Sequence, residues 1–319
     1  MFLTDKVKQI GIGKIFRNKL YDHVVVYDVL SALLNGTDRT STELIRLGEI
    51  NRVKKRLRKK YQHQIDQPLL VGKGEIVNPN FIWTAWLQGE SNAPDVVRMS
   101  LKSMRIKYGR DNVQVLTAAN FKDYIDLPAS ILNKWQLGTI SDAHFSDILR
   151  TALLVKYGGT WIDSTVFLSE NSGWISETID NAKFFFFQNM RPGSMGNAIF
   201  LSSWYLKSEK GNPALQRVQE LLYLFWEKEN NIRDYFLFHI FLHLVFEAHP
   251  EELDRVPKIP NALPLQLMYK LNDYCSQEEI RDILKTCEIQ KLTYKNLPNS
   301  PKSVVSMLNN LFLDSKQEG

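Results

Sequence analysis

Apolar residues recur along the chain at the two spacings that buried helices and strands require. Phe145, Ile148, Leu149, Ala152 and Leu153 follow the i, i+3, i+4, i+7, i+8 spacing of a helix with one buried face. Gly158-Gly159 ends that helix, because glycine accepts the left-handed conformation a helix end commonly takes. Thr160-Trp161-Ile162 then reads as a short strand. Upstream, residues 81–86 (FIWTAW) read as a first buried strand, and Pro94 starts a helix with Val97, Leu101 and Met104 on its buried side. Residues 113–116 read as a second strand. Residues 183–187 (KFFFF) form a strand apolar enough to be covered on both faces. A short helix is expected within residues 123–140. Asn212-Pro213 opens another, with Leu215, Val218, Leu222 and Phe225 as its stripe. Asp234 begins the most apolar helix. The β-α-β order predicts a parallel sheet with helices on its faces.

The two ends read as helical. Residues 1–74 are mostly helix, with Thr40 and Glu43 as a capping box for a helix running to about Tyr61. Ile50, Val53, Leu57 and Tyr61 line one face of it. Gly11-Ile12-Gly13-Lys14 lacks the downstream glycine of a nucleotide loop and reads as a turn, and residues 72–79 as a linker. Ser276 with Glu279 forms a second capping box, and Ser300-Pro301 starts a last helix with Val304, Val305, Leu308, Leu311 and Phe312 on one side. The expected organisation is a basic helical N-terminal extension (1–75), a central domain (76–260) and a C-terminal helical extension packed on it (261–319).

Charge is unevenly placed. The formal net charge is +5, yet residues 1–80 hold 15 Lys/Arg against 8 Asp/Glu, a surplus of seven, so the remainder carries −2. Arg52, Lys54, Lys55, Arg56, Arg58, Lys59 and Lys60 crowd one helix. That run is either a solvated face or a contact for an anionic membrane surface, where each basic residue contributes ~1 kcal/mol. No nucleic-acid recognition module accompanies it, so nucleic acid is not an expected partner. Cys275 and Cys287 make no disulfide framework. The N-terminus lacks the apolar core of a signal peptide, and the apolar run 235–246 is too short to span a bilayer. The expected location is cytoplasmic, with peripheral contact to the inner face of the cell membrane left open.

Asp147 and Arg150, three apart, are neighbours on their helix, and an exposed pair of that kind contributes only tenths of a kcal/mol. Asp163 follows a strand, at the end where open α/β sheets bind ligands. Taken in order, Ser146-Asp147-Ile148-Leu149-Arg150, Gly158-Gly159 and Trp161-Ile162-Asp163-Ser164-Thr165 resemble the capsular polysaccharide synthesis family, which belongs with the glycosyltransferases of family 32. The likeness extends more loosely over residues 81–247. Thr165 stands where many relatives have a second Asp. The resemblance implies an α/β fold, a GT-A-like Rossmann-type mixed sheet flanked by helices.

It also implies a site. Asp147 would bond donor-sugar hydroxyls, Arg150 would orient the groups beside it, and Trp83 and Gln88, in a Trp-x-x-Trp-x-Gln-Gly segment, would meet the nucleotide. One tryptophan of that pair is expected in the core. Asp234 and His239 match an Asp-x-x-x-x-His near the donor site, while His243, one turn on, reads as structural. Gln188 and Asn189 are weighed as substrate contacts against a loop or core role. A divalent cation, Mn²⁺ or Mg²⁺, would bridge the donor diphosphate to Asp163, with Thr165 or His239 assisting. The implied activity is a retaining glycosyltransferase that moves sugar from a nucleotide-sugar donor, a UDP-sugar, to a lipid-linked capsular or surface polysaccharide intermediate. Sugar-phosphate transfer and a non-catalytic nucleotide-sugar-binding scaffold remain as alternatives. Donor sugar, linkage and oligomeric state are not legible.

Overall fold

Two helices open the part of the computed structural model that is described, which comprises residues 24–70, 81–170, 172–190, 199–271, 275–295 and 303–312. The Gly11–Lys14 turn and the 72–79 linker lie outside these residues. α1 (Val24–Asn35) packs on α2 (Arg39–Lys60), and the short α3 (Gln62–Asp66) follows. Asp38, not Thr40, caps α2: its carboxylate accepts from Thr40 N and Ser41 N at 2.9 and 3.1 Å. A carboxylate at that position also suits the positive end of the helix dipole.

The central part runs β1 (Ile82–Ala85), α4 (Asp95–Tyr108), β2 (Val113–Leu116), α5 (Ala129–Gln136), α6 (Asp142–Tyr157), β3 (Gly159–Ile162), β4 (Val166–Leu168), α7 (Trp174–Asn181), β5 (Phe184–Gln188) and β6 (Leu201–Ser208). Then come α8 (Pro213–Lys228), α9 (Leu237–Ala248), α10 (Pro250–Asp254), α11 (Gln266–Lys270), α12 (Gln277–Thr286), β7 (Ile289–Lys291) and α13 (Val304–Phe312). Asn212 and Ser276 cap α8 and α12, accepting from Leu215 N and Glu279 N.

Five strands form a mixed sheet in the order β2-β1-β3-β6-β5. β1 runs parallel to β2 and β3, and β6 runs antiparallel between β3 and β5. β4 and β7 pair in a separate two-stranded sheet, with Val166 opposite Lys291. The phenylalanine strand shows the period of two directly. Phe184 and Phe186 enter one core with α6, α8 and α9, while Phe185 and Phe187 enter the other with α4 and α7. The architecture is therefore a mixed α/β sheet flanked by helices on both faces.

α2 joins the first of these cores, and α13 helps form a third. Ile50, Val53 and Leu57 of α2 are buried with α9, and Tyr61 meets Phe241 edge-on at 5.5 Å. Val304, Val305 and Leu308 of α13 pack with α12, Val96 and Met99 of α4, and Phe167 of β4. Among the described residues no helix is long and apolar enough to cross a membrane.

The Gly158-Gly159 turn fixes how α6 hands over to β3. Both glycines have positive φ, +72° and +93°. A Cβ on Gly158 would lie 2.7 Å from Lys210 N, and one on Gly159 would lie 2.8 Å from Phe81 O. Conformation and space both require glycine here, and Thr160 N can then bond Phe81 O at 3.0 Å and set β3 beside β1.

Candidate active site

The carboxyl ends of β1 and β3 and the neighbouring part of the antiparallel β6 open on one cleft of about 410 Å³. That lies within the roughly 300–1,000 Å³ of small-molecule sites. Its walls include Trp86, Gln88, Asp142, Asp147, Arg150, Trp161, Asp163, Thr165, Ser203, Trp204, Tyr235, His239, Lys291 and Tyr294.

Arg150 is the hub. Its guanidinium, 5% exposed, donates to Ser203 O at 2.5 Å and to Asp163 Oδ1 at 3.3 Å, and lies 3.5 Å from Asp147 Oδ1. It also stands 5.0 Å over the Trp161 ring, a cation–π distance. One helix thus ties the end of β3 to β6. His144 stands behind Asp147. Trp226 Nε1 donates to His144 Nε2 at 2.9 Å, and an indole N–H only donates, so the proton of His144 is on Nδ1. That nitrogen lies 3.5 Å from Asp147 Oδ2.

Asp163 carries the densest set of partners. Trp161 Nε1 donates to its Oδ1 at 2.9 Å, and Lys291 Nζ to its Oδ2 at 2.9 Å. Burial alone would raise this carboxyl, but the Lys291 ammonium and the Arg150 guanidinium, with the Trp161 hydrogen bond, hold it below the ordinary value. Lys291 also donates to Thr165 Oγ1 at 2.6 Å. The β4–β7 pairing sets this contact, since it places Lys291 beside the residue after Thr165.

The other expected site residues separate into three groups. Gln88 is exposed at the rim, its amide donating to Asp142 Oδ2 at 3.1 Å. His239 lines the cleft, and its Nδ1 has no hydrogen-bond partner among the described residues. Burial pushes its imidazole down to about 4, against the raising influence of Asp147, so it is neutral at neutral pH. Asp234 and Trp83 do not line the cleft. Asp234 is clamped by Arg46 of α2 at 2.7 and 2.8 Å and accepts from Phe236 N at 2.8 Å. Trp83 is buried in the core and donates to Gly158 O at 3.0 Å; Trp86, three residues on, faces the cleft instead, edge-on to Tyr294 at 5.3 Å. Gln188 bonds Ile259 O and Pro257 O, and Asn189 pairs with Asn261, both away from the cleft.

Five residues were invisible to spacing. Lys291 and Tyr294 come from the C-terminal extension, and Ser203-Trp204 from β6, whose insertion next to β3 no local pattern signals. His144 directly precedes the Phe145-Ser146-Asp147 segment, but its partner Trp226 lies 82 residues away.

A sequence profile of the capsular polysaccharide synthesis protein family matches residues 38–311. The chain belongs to that family. The match covers α2 through most of α13 and leaves α1 outside. The O-glycosyltransferase braB of Annulohypoxylon truncatum is 26% identical over 211 residues, which are 61% of this chain and 48% of that protein. The match thus spans about half the length of that curated relative. The solved structure of PaToxG Glycosyltransferase is 12% identical, covers 77% of this chain and 100% of that one, and aligns with a TM-score of 0.37.

For this family member the donor set of a divalent cation can be tested against Asp163, Thr165 and His239. Among the described residues no group of three or more His, Cys, Asp and Glu side chains could hold a metal ion. The Asp163 carboxylate is already shared by Lys291, Arg150 and Trp161, and Thr165 Oγ1 is taken by the same ammonium. A magnesium ion at ~2.1 Å from Asp163 Oδ2 would stand no more than about 5 Å from Lys291 Nζ, which is itself 2.9 Å from that oxygen. At an effective dielectric constant of ~20 the repulsion is on the order of 6 kcal/mol. These residues do not fit a protein-held divalent cation.

Proposed function

We propose that this cleft transfers a sugar, with retention of configuration, from a nucleotide sugar of the UDP class to a lipid-linked capsular or surface polysaccharide intermediate. The observation that carries the reading is the convergence of Asp147, Arg150 and Asp163 on one cleft walled by Trp86, Trp161, Trp204, Tyr235 and Tyr294. Aromatic faces suit a nucleobase and a sugar ring, since stacking contributes ~1–3 kcal/mol per base. The Asp147 carboxylate accepts hydrogen bonds only, as sugar hydroxyls require, and His144 Nδ1 and the Arg150 guanidinium each lie 3.5 Å from it. The name of the fungal relative supports an oxygen acceptor.

Retention needs no protein nucleophile if the leaving phosphate deprotonates the acceptor on the same face of the sugar. The C1–O bond to phosphate then breaks with both electrons leaving on the phosphate oxygen. A C1–O bond to the acceptor forms as the hydroxyl proton passes to that phosphate.

A lipid-linked acceptor suits a protein at an anionic membrane surface, on its cytoplasmic side. Supporting this, Val26, Val29, Leu30, Leu33 and Leu34 of α1 are exposed beside α2, whose Lys55 and Lys59 are exposed too. The basic run is not wholly outward, however: Lys54 pairs with Glu247 at 2.7 Å and Lys60 with Glu229.

The test is nucleotide release from UDP-, GDP- and CMP-sugars in the presence of a polyprenyl-diphosphate-linked sugar, with the product analysed by NMR. The expected result is turnover of a UDP-sugar, retention at C1, and at least a 100-fold loss in Asp147→Asn. An inverted product would sink the mechanism, and extra phosphorus in the product would show sugar-phosphate transfer. Donor binding without turnover would leave a scaffold.

A further inference from the structure

We infer that the cleft holds its donor's diphosphate without a divalent metal, the Lys291 ammonium standing where such an ion would bridge carboxylate and phosphate. This rests on the reading of the cleft as a nucleotide-sugar site. It rests as well on a geometry that reading does not require.

An ammonium carries three donors. Two of those on Lys291 are spent on Asp163 Oδ2 at 2.9 Å and Thr165 Oγ1 at 2.6 Å. Among the described residues the third has no partner, and Lys291 lines the cleft with 18% of its side chain exposed. Asp163 and Thr165 therefore do for this cation what a ligand cage does for a metal: they fix its position and leave one direction open. The backbone fixes it too, through the antiparallel register that sets Lys291 opposite Val166 and the bond from Leu292 N to Thr165 O at 2.8 Å.

Asp142, Asp147 and Asp163 face Arg150 and Lys291 in the cleft, and His239 adds no charge, so two cations stand against three carboxylates before the donor arrives and phosphates need a placed cation to enter. Arg150 is committed inward, to Ser203 O, Ser146 O and the two carboxylates. Among the described residues that line the cleft, Lys291 is the cation left to meet the phosphates. As the sugar–phosphate bond breaks, negative charge grows on the leaving oxygen, and a fixed ammonium there stabilises it without bound metal.

The test is calorimetric binding of UDP and of UDP-sugars to the full chain, in EDTA and in manganese, with wild type, Lys291→Met and Lys291→Arg. Wild type is expected to bind in EDTA, with less than a twofold gain from manganese. Lys291→Met should bind at least tenfold more weakly in EDTA, while Lys291→Arg stays within about threefold of wild type. Thermal melting of both variants shows whether a loss comes from unfolding; the Arg variant, which keeps the charge, carries the result if the Met variant fails to fold. Binding abolished by EDTA and restored by manganese would overturn the inference and leave the nucleotide-sugar reading standing. Unchanged binding in a folded Lys291→Met would overturn it as well. Wild type that binds neither UDP nor any UDP-sugar in either buffer would overturn both.

Discussion

Asp163 and Asp234 are each met by a cation delivered from one end of the chain. Arg46, in the N-terminal extension, clamps Asp234 through both carboxylate oxygens, and Phe236 N takes a further lone pair. The Asp234 side chain is 3% exposed. Lys291, in the C-terminal extension, reaches Asp163 through one oxygen, and the Asp163 side chain keeps 28% exposure toward the cleft. The first acid is closed off from solvent, and its pair docks α2 beside the start of α9. The second is open, because both acid and cation keep a side free for a ligand. Each acid accepts three hydrogen bonds, so ion pairs of similar composition separate into joint and site by the exposure of the acid.

The largest difference should appear in stability. Arg46→Ala leaves an almost fully buried carboxylate without its cation; Arg46 itself is 37% exposed, so the cost should fall below the about 3–5 kcal/mol of a fully buried pair yet stay above ~1 kcal/mol. Lys291→Met leaves Asp163 bonded to Arg150 and Trp161 and partly solvated, so its cost should stay below ~1 kcal/mol. Urea unfolding of the two variants checks this, and equal losses would erase the distinction between joint and site.

A smaller effect probes the ground between the pairs. The His239 imidazole feels Asp147, Asp234 and Asp163 together, yet burial holds it at about 4, below the ordinary 6.5. The folded state therefore binds fewer protons than the unfolded state between those values. Stability rises with pH across that window and falls as pH drops from 6.5 toward 4. At 1.36 kcal/mol per pH unit the loss from this group approaches about 3 kcal/mol at pH 4. His239→Gln should flatten that limb of the stability–pH curve while leaving the region above pH 7 parallel to wild type. An unchanged acid limb would show that the ring is not buried neutral.

Much of the frame was legible from local pattern. The α6 stripe, the paired glycines, the short β3 and the caps at Asn212 and Ser276 depend on residues within a few positions of one another, and the structure has them. The cap of α2 was misplaced by two residues, because Asp38 accepts from the amides of Thr40 and Ser41 and draws Thr40 into the first turn. Trp83 and Trp86 could not be told apart by type. Their places follow from strand pleat and from where β1 ends, and only Trp86 reaches the cleft. What stayed hidden depends on long-range pairing. β6 enters the sheet antiparallel next to β3, bringing Ser203 and Trp204 to the site. A three-residue strand brings Lys291 to an acid 128 positions earlier. Which cations of the basic helix face Asp234, Glu229 and Glu247 stayed hidden for the same reason, since tertiary packing decides it.

The most direct measurement is a crystal structure of the protein grown with UDP and excess manganese. The expected result is the diphosphate in the cleft, one of its oxygens about 3 Å from Lys291 Nζ, with Lys291 still bonded to Asp163 and no metal between that carboxylate and the phosphates. A manganese ion bridging Asp163 to the diphosphate with Lys291 turned away, or UDP bound elsewhere on the surface, would contradict it.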